Sequence, residues 1–142
     1  MKDDRLRVPV EPTYVAVLGL AAYEFASLEW NAVWCCERLE PGCIDRIAER
    51  TARNIAKYFI RLAEANGNAE TISAACRFDA LVQRRNELLH GKPGTDKDGE
   101  QRLFRSGVAW TEDEIGKVAD DFTECSITLN SLLYGALRVV ES

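Results

Sequence analysis

Apolar residues recur every three or four positions in four stretches of this sequence, the spacing that places them on one face of an α-helix. The stretches run from about residue 13 to 39, 43 to 65, 69 to 90 and 112 to 140. Three of them keep a regular four-three spacing, which favours nearly parallel helix axes. The pattern therefore predicts an all-α fold, a four-helix up-and-down antiparallel bundle.

Residues that cap or break helices agree with these boundaries. Pro41 ends the first helix, and Asn66-Gly67-Asn68 closes the second and offers a cap to the third. Thr111 and Glu114 have the spacing of a capping box in front of the fourth helix. The hydrophobic pattern and the capping residues thus predict the same four helices.

One long connection, residues 91–110, joins the third and fourth predicted helices. Its first half, residues 92–99, consists of turn-forming residues. Its second half alternates weakly between apolar and polar, so the connection is expected to be a long loop or a short hairpin around Ser106 and Gly107. Residues 1–12 are expected to form an N-terminal arm, and residues 1–142 a single domain.

Composition limits the class of protein. Hydrophobic residues make up 46% and charged residues 29%, values ordinary for a globular domain, and the longest apolar run is too short to cross a membrane. The five cysteines form no Cys-x-x-Cys pair, and most lie on apolar helical stripes, where a reduced thiol packs as a small hydrophobe. We therefore expect a cytoplasmic protein with no metal, no cofactor and no membrane contact.

Charge is distributed unevenly along the chain. The net charge of −5 argues against tight non-specific binding to nucleic acid. The segment from Arg77 to Arg105 differs, because it contains seven basic and five acidic residues. This segment is either a solvated stretch of mixed charge or part of a basic surface.

Two polar residues of the third predicted helix occupy positions where the stripe calls for apolar ones. They are Arg85 and Asn86. A buried arginine is unfavourable unless a partner compensates its charge, and such a break in the pattern often marks a functional site. The alternative is a structural ion pair between helices, for example with Asp79.

His90, the only histidine in the chain, stands at the end of the same helix. It is either a C-terminal residue that suits the helix dipole, with Gly91 as a left-handed cap, or a functional imidazole. On a regular helix, residues 86 and 90 are about 40° apart, whereas residues 85 and 90 are about 140° apart. Arg85 and His90 can therefore meet at one phosphate only if the helix end deviates or if two subunits contribute.

The run Arg85-Asn86-Glu-Leu-Leu-His90-Gly91 resembles the signature of the HEPN superfamily, in which an arginine and a polar residue precede a histidine by a few positions. In that family the motif closes the third helix of a four-helix bundle, so the resemblance in architecture covers about residues 12 to 140. It implies a metal-independent endoribonuclease, commonly a homodimer in which the two motifs face each other. Some members are the toxin of a toxin–antitoxin pair, and some pair with a nucleotidyltransferase.

The resemblance also implies roles for individual residues. Arg85 would bind the scissile phosphate, His90 would act as general acid or base, and Asn86 would orient one of the two. Imidazole titrates near neutral pH, and RNA supplies its own nucleophile in the 2′-hydroxyl. Nearby cations would make the outer phosphate contacts: Arg84, Lys92, Arg102 and Arg105.

Two functions remain open. The chain is either an HEPN-like endoribonuclease or a non-catalytic HEPN-like module that binds a protein or a nucleotidyltransferase partner. Glu87 and His90 also match half of a di-iron motif, but a single histidine cannot supply the second half.

The first predicted helix has a second apolar surface away from its main stripe, and this surface includes Trp30 and Trp34. A helix that is apolar over most of its circumference needs a second partner. Either other helices of the monomer cover this surface, or a second copy of the chain does.

Overall fold

The computed structural model describes residues 9–140, which are mostly helical. The helices within this range are α1 (Pro12–Leu39), α2 (Ile44–Ile47), α3 (Ala52–Asn66), α4 (Ala69–Leu89) and α5 (Glu112–Tyr134). Three short strands follow α4: β1 (Lys92–Thr95), β2 (Gln101–Arg105) and β3 (Val108–Ala109). The predicted helical character is confirmed in outline. Most of the predicted N-terminal arm, residues 1–8, lies outside the described residues.

The second predicted helix, residues 43–65, is wrong as a single element. The structure divides it into the one-turn α2 and the longer α3. Thr51 has an extended backbone, and its hydroxyl oxygen accepts a hydrogen bond from the Asn54 N–H, so a new helix begins there. The hydrophobic pattern hides this break because the apolar stripe continues across it, through the buried Ile47 and Ile55.

α5 ends well before residue 140, the predicted end of the fourth helix. Gly135 leaves the helix with φ −114° and ψ −109°, and the Leu137 N–H turns back to the Leu132 carbonyl. The Arg38 guanidinium donates to the carbonyls of Leu133 and Leu137, which meets part of the hydrogen-bonding need of the helix end. Glycine has low helix propensity, and these bonds make the early end favourable.

α1 and α5 run in the same direction along the molecule. Side-chain hydrogen bonds join them in parallel register: Thr13 with Glu112, Glu24 with Thr123, Asn31 with Ser126, and Arg38 with Leu133. The prediction of an up-and-down antiparallel bundle is therefore wrong for this pair, because the first and last helices of such a bundle are antiparallel. A hydrophobic stripe specifies which face of a helix is buried, and it carries no information about the direction of the helix.

Aromatic rings from four helices meet in one core. The Phe25 ring of α1 lies 6.2 Å from Phe78 of α4 and 5.2 Å from Phe122 of α5, and Phe59 of α3 lies 6.5 Å from Phe78. Burying a ring of this size contributes roughly 1.5–3 kcal/mol. This core fixes α4 between its neighbours and so determines where the end of α4 lies. No helix of the described residues is long and apolar enough to span a membrane.

Of the two alternatives for the second half of the connection, a long loop or a short hairpin, the structure shows the hairpin at Ser106 and Gly107. β2 pairs antiparallel with β3, and Arg105 lies opposite Val108. Ser106 and Gly107 have φ values of 51° and 80°, as a two-residue turn of type I′ requires. The second half of the long connection therefore folds as the weak alternation of the sequence indicates.

The first half of the connection forms a strand where turn chemistry was expected. β1 is the edge strand of a three-stranded antiparallel sheet, and an edge position tolerates Pro93. Gly94 allows the Phe104 ring to pack closely, since a Cβ at residue 94 would lie 2.9 Å from that ring. These tertiary contacts, which local sequence does not reveal, turn residues 92–95 into a strand.

Tyr14 joins α1 to the sheet. Its buried hydroxyl donates to the Trp110 carbonyl over 2.8 Å and accepts from the Leu103 N–H over 3.0 Å, and burial raises the pKa of Tyr14. Tyr14→Phe would leave both backbone groups without this partner, so we expect the free energy of unfolding to fall by about 1–3 kcal/mol in urea denaturation. The matched variant Tyr134→Phe, at a ring that is 80% exposed, should change it by less than about 0.5 kcal/mol. Equal effects of the two variants would contradict this role for Tyr14.

Candidate functional site

The end of α4 packs tightly against the sheet. His90 caps the helix, and its backbone N–H donates to the Asn86 carbonyl. A Cβ at Gly91 would lie 3.0 Å from the Leu103 Cβ and 3.0 Å from the Leu88 carbonyl oxygen. The left-handed cap at Gly91, one of the two alternatives considered from the sequence, is wrong, because Gly91 is not among the described glycines with positive φ. The glycine instead permits the close approach of β2, which fixes the position of His90.

Asn86 and His90 share a cleft of about 440 Å³ between α4 and the sheet. The other residues that line it are Glu87, Lys92, Phe104, Arg105, Ser106 and Gly107. His90 is exposed at this cleft, and Asn86 lies one helical turn before it. An imidazole, an amide and two cationic side chains therefore meet in one open space.

Glu87, which lines this cleft, is held between two arginines. Its carboxylate pairs with Arg84 over 3.3 Å and also with Arg105. Both guanidinium groups lie over the Trp110 ring, at 4.9 and 5.1 Å from its centroid. Trp110 is only 2% exposed, so it is a fixed platform for cation–π contacts. One carboxylate is thus shared by two cations. Because Lys92 adds a further positive charge at the cleft, the region keeps the net positive charge that a phosphate needs.

Arg85 lies on a different side of α4, against α1. Its guanidinium is 4.5 Å from the centroid of the Phe25 ring and lines a groove of about 170 Å³ together with Glu29 and Leu89. Its Nε is buried and has no hydrogen-bond partner within residues 9–140. The ion pair with Asp79 considered from the sequence is not among the salt bridges of these residues. Arg85 is therefore held by ring stacking, not by an acid.

Glu29 is the acidic residue of the Arg85 groove. Burial raises the pKa of Glu29, and the positive charge of Arg85 only partly offsets this rise. Since the folded-state pKa lies above the unfolded one, this contribution to stability is complete below the unfolded pKa and is lost as pH rises through the folded one. The ionised Glu29 therefore stabilises the folded state less than the protonated carboxyl does.

Glu29→Gln is expected to reduce the loss of stability between about pH 4 and pH 7, because glutamine does not ionise. Urea denaturation at the two pH values measures this difference. The exposed Glu64→Gln on α3 is the control and should keep the wild-type difference. A pH dependence unchanged by Glu29→Gln would show that this carboxyl does not have the assigned effect.

The structure brings part of the predicted residue set together. Asn86, His90, Lys92 and Arg105 line the cleft, and Arg84 lies beside it at Trp110. Arg102 is engaged elsewhere: its guanidinium pairs with Glu11 over 2.9 Å and lies 4.5 Å from the Tyr14 ring centroid. With its side chain only 13% exposed, Arg102 joins β2 to the start of α1 and does not line the cleft.

Within one chain Arg85 is not in the cleft of His90, as the angle of about 140° between residues 85 and 90 predicts. The sequence analysis did not predict the ion pairs of Glu87 or the cation–π platform of Trp110. The spacing of Arg84 and Glu87 on one helix was an available signal for their ion pair. The sequence contains no such signal for Trp110, because its contacts arise only once the sheet has folded.

No cysteine lines this cleft. Four of the five free cysteines are buried, and burial raises the pKa of Cys35 to about 12 and that of Cys125 to about 11. Such thiols stay protonated at neutral pH and pack as apolar groups. Among the side chains of residues 9–140 there is no group of three or more His, Cys, Asp or Glu placed to hold a metal ion.

Comparison with protein-family models, with curated proteins and with solved structures finds no match to this chain. The function must therefore be inferred from the residues and their geometry.

Proposed function

We propose that this chain is an HEPN-like, metal-independent endoribonuclease. The observation that carries the proposal is the open cleft in which the exposed His90 lies with Asn86, Lys92 and Arg105, and in which these cations outnumber the one carboxylate, that of Glu87. Imidazole can move protons at neutral pH, and the two cations suit the phosphates of RNA. The parallel α1 and α5 depart from the bundle that the resemblance implies, so the proposal rests on the cleft and the motif.

RNA provides the nucleophile for this reaction. The 2′-oxygen attacks the neighbouring phosphorus, the bond from phosphorus to the 5′-oxygen breaks, and the products are a cyclic phosphate and a 5′-hydroxyl. His90 transfers one of the two protons, from the 2′-hydroxyl or to the leaving 5′-oxygen, water transfers the other, and Asn86 orients the imidazole. Lys92 and Arg105 hold the adjacent phosphates, and the guanidinium of Arg85 stabilises the charge that develops on the phosphorane.

The separation of Arg85 from His90 within one chain favours a composite site. In a homodimer, Arg85 of one copy would meet His90 of the other, and each dimer would contain two sites. An arginine whose Nε lacks an acceptor in the described chain, in a groove open to the surface, is suited to this arrangement.

The surface of α1 beside the Arg85 groove supports this assembly. The exposed positions of α1 from Val15 to Trp34 carry no charged side chain. Tyr23 is 72% exposed and Trp30 50% exposed, and Trp30 and Trp34 pack edge to face at 6.1 Å. A contiguous apolar surface with aromatic residues is typical of protein interfaces. We propose that this surface and part of α4 form the homodimer interface.

Trp30→Glu is expected to convert the dimer into a monomer, because it would bury a charge in an apolar interface. Light scattering at micromolar concentration measures the mass. The control Val140→Glu, at a residue that is 80% exposed, should remain dimeric. A monomeric wild-type protein would contradict the proposed assembly.

A non-catalytic helical module is the second candidate. One observation favours it: a single chain holds Arg85 and His90 on different sides of α4. In that case the cleft would bind a protein or a nucleotidyltransferase, and the resemblance to HEPN toxins would reflect the motif alone. If the chain is instead the toxin of a pair, its antitoxin would have to block the cleft or the Arg85 groove.

Incubation of the purified protein with total RNA in excess EDTA distinguishes the two functions. The nuclease proposal predicts that RNA fragments accumulate and that His90→Ala prevents this. Intact RNA over a wide range of protein concentration would favour the binding module.

A further inference from the structure

A second group of cations lies on α2, on α3 and in the turn between them. Five basic residues and one acidic residue occur from residue 46 to residue 61, in a chain whose net charge is −5. We call these five the second basic surface: Arg46, Arg50, Arg53, Lys57 and Arg61. This excess of positive charge is larger than that of the segment containing the HEPN-like motif, and Glu49 is the single acid within it.

Three of these arginines line one groove of about 210 Å³, together with Asn54 and Tyr58. Arg46 donates to the Tyr58 hydroxyl over 3.0 Å and pairs with Glu40, while the Arg61 guanidinium lies 4.6 Å from the centroid of the Tyr58 ring. These contacts order the arginines around a single tyrosine. The groove shares no lining residue with the cleft of His90.

Two arginines of this groove are available to an anion. The Nε of Arg50 donates to the Arg46 carbonyl over 3.3 Å, which orients its guanidinium without neutralising it. Neither Arg50 nor Arg61 forms a salt bridge with an acid of residues 9–140. Guanidinium groups that are oriented but not neutralised match the paired oxygens of a phosphate.

The cations continue along α3 beyond the groove. Arg53 and Lys57 are exposed and stand eight and four residues before Arg61, on one face of the helix. This row is roughly 12 Å long at the rise of an α-helix. Its length suits successive phosphates of a strand better than a single phosphate.

We propose that the second basic surface binds the phosphodiester backbone of single-stranded RNA outside the cleavage cleft. Only the identity of the strand as RNA rests on the proposed function, since any phosphodiester strand has the same backbone chemistry. The contacts are with phosphates, so the surface binds without base sequence preference.

Fluorescence anisotropy with a labelled 2′-O-methyl RNA of about 12 nucleotides tests the proposal, because this strand cannot be cleaved through its 2′-oxygen. The double variant Arg50→Glu with Arg61→Glu should bind at least about tenfold more weakly. Loss of two phosphate contacts should also reduce the slope of log affinity against log salt by about 1.4. Arg50→Gln with Arg61→Gln should also bind the strand more weakly than the wild-type protein, but by a smaller factor. This second variant tests the proposal if the glutamate variant does not fold.

The control is Lys117→Glu with Arg138→Glu, two exposed cations outside the groove, with the same change in net charge. It should change the affinity less than about twofold. An equal loss in both double variants would mean that only net charge matters, and would overturn the proposal. Absence of strand binding by the wild-type protein would also overturn it. Displacement of the strand by uridine monophosphate at equal phosphate concentration would show a site for free phosphate instead.

The same assay separates this proposal from the nuclease proposal. His90→Ala should bind the uncleavable strand as the wild-type protein does. Normal strand binding by Arg50→Glu with Arg61→Glu would contradict the second basic surface alone. Selective loss of strand binding in that variant, with no cleavage by the wild-type protein, would support the surface and contradict the nuclease.

Discussion

Replacement of His90 by alanine should lower the rate of RNA cleavage by a factor of about 10² to 10⁴, the usual effect of losing a general acid or base. His90 is the only histidine in the chain, so no other imidazole can take its place. The side chain is exposed, and its removal should change the free energy of unfolding by less than about 0.5 kcal/mol. Cleavage of a labelled RNA and urea denaturation of the same preparation measure the two effects.

Arg102→Ala is the matched control for His90→Ala. Arg102 was predicted to contact phosphate, and the structure places it outside the cleft. Its guanidinium pairs with Glu11 and packs on Tyr14, so the variant should lose stability and keep most of the cleavage rate below its unfolding temperature. Undiminished cleavage by His90→Ala would show that His90 is not the acid or base.

Replacement of Arg85 by alanine should lower cleavage by a factor of about 10² or more, as for the loss of one donor to developing charge. Arg85 also stacks on Phe25, so this variant should lose about 0.5–2 kcal/mol of stability. Arg85→Lys keeps the positive charge and loses the paired N–H groups of the guanidinium. It should recover stability more than activity, and equal recovery of both would indicate a purely structural role.

If the site is shared between the two subunits of a dimer, a second, quantitative result is expected for Arg85. Mixing Arg85→Ala with His90→Ala under conditions that allow subunit exchange should restore up to about a quarter of the wild-type rate, because half of the dimers are mixed and each has one intact site. No recovery after exchange would show that both residues act within one chain.

The end of α4 shows how much of the site the sequence can predict. The stripe, the capping residues and the break after His90 place Asn86 and His90 on one face and Arg85 on another, and the structure agrees. Ser106 and Gly107 likewise predict their turn, because few residues adopt positive φ. These features depend on local geometry, which sequence spacing determines directly.

Features that depend on packing between distant segments were not predictable. The parallel direction of α1 and α5 is set by contacts such as Asn31 with Ser126, which no stripe encodes. β1 forms because β2 is available as a partner, and Arg102 is diverted to Glu11, a residue far from it in sequence. The second basic surface spans α2 and α3, and the break at Thr51 that separates these helices is hidden by a continuous apolar stripe.

We propose that this chain cleaves RNA through the 2′-hydroxyl, with His90 as acid or base and without a metal. Mass spectrometry of the ends of a defined RNA, incubated in excess EDTA with wild-type protein and with His90→Ala, tests it most directly. We expect fragments with a 2′,3′-cyclic phosphate and a 5′-hydroxyl from the wild-type protein, and almost none from the variant. Fragments that disappear in EDTA, that carry a 5′-phosphate, or that form equally with His90→Ala would contradict it.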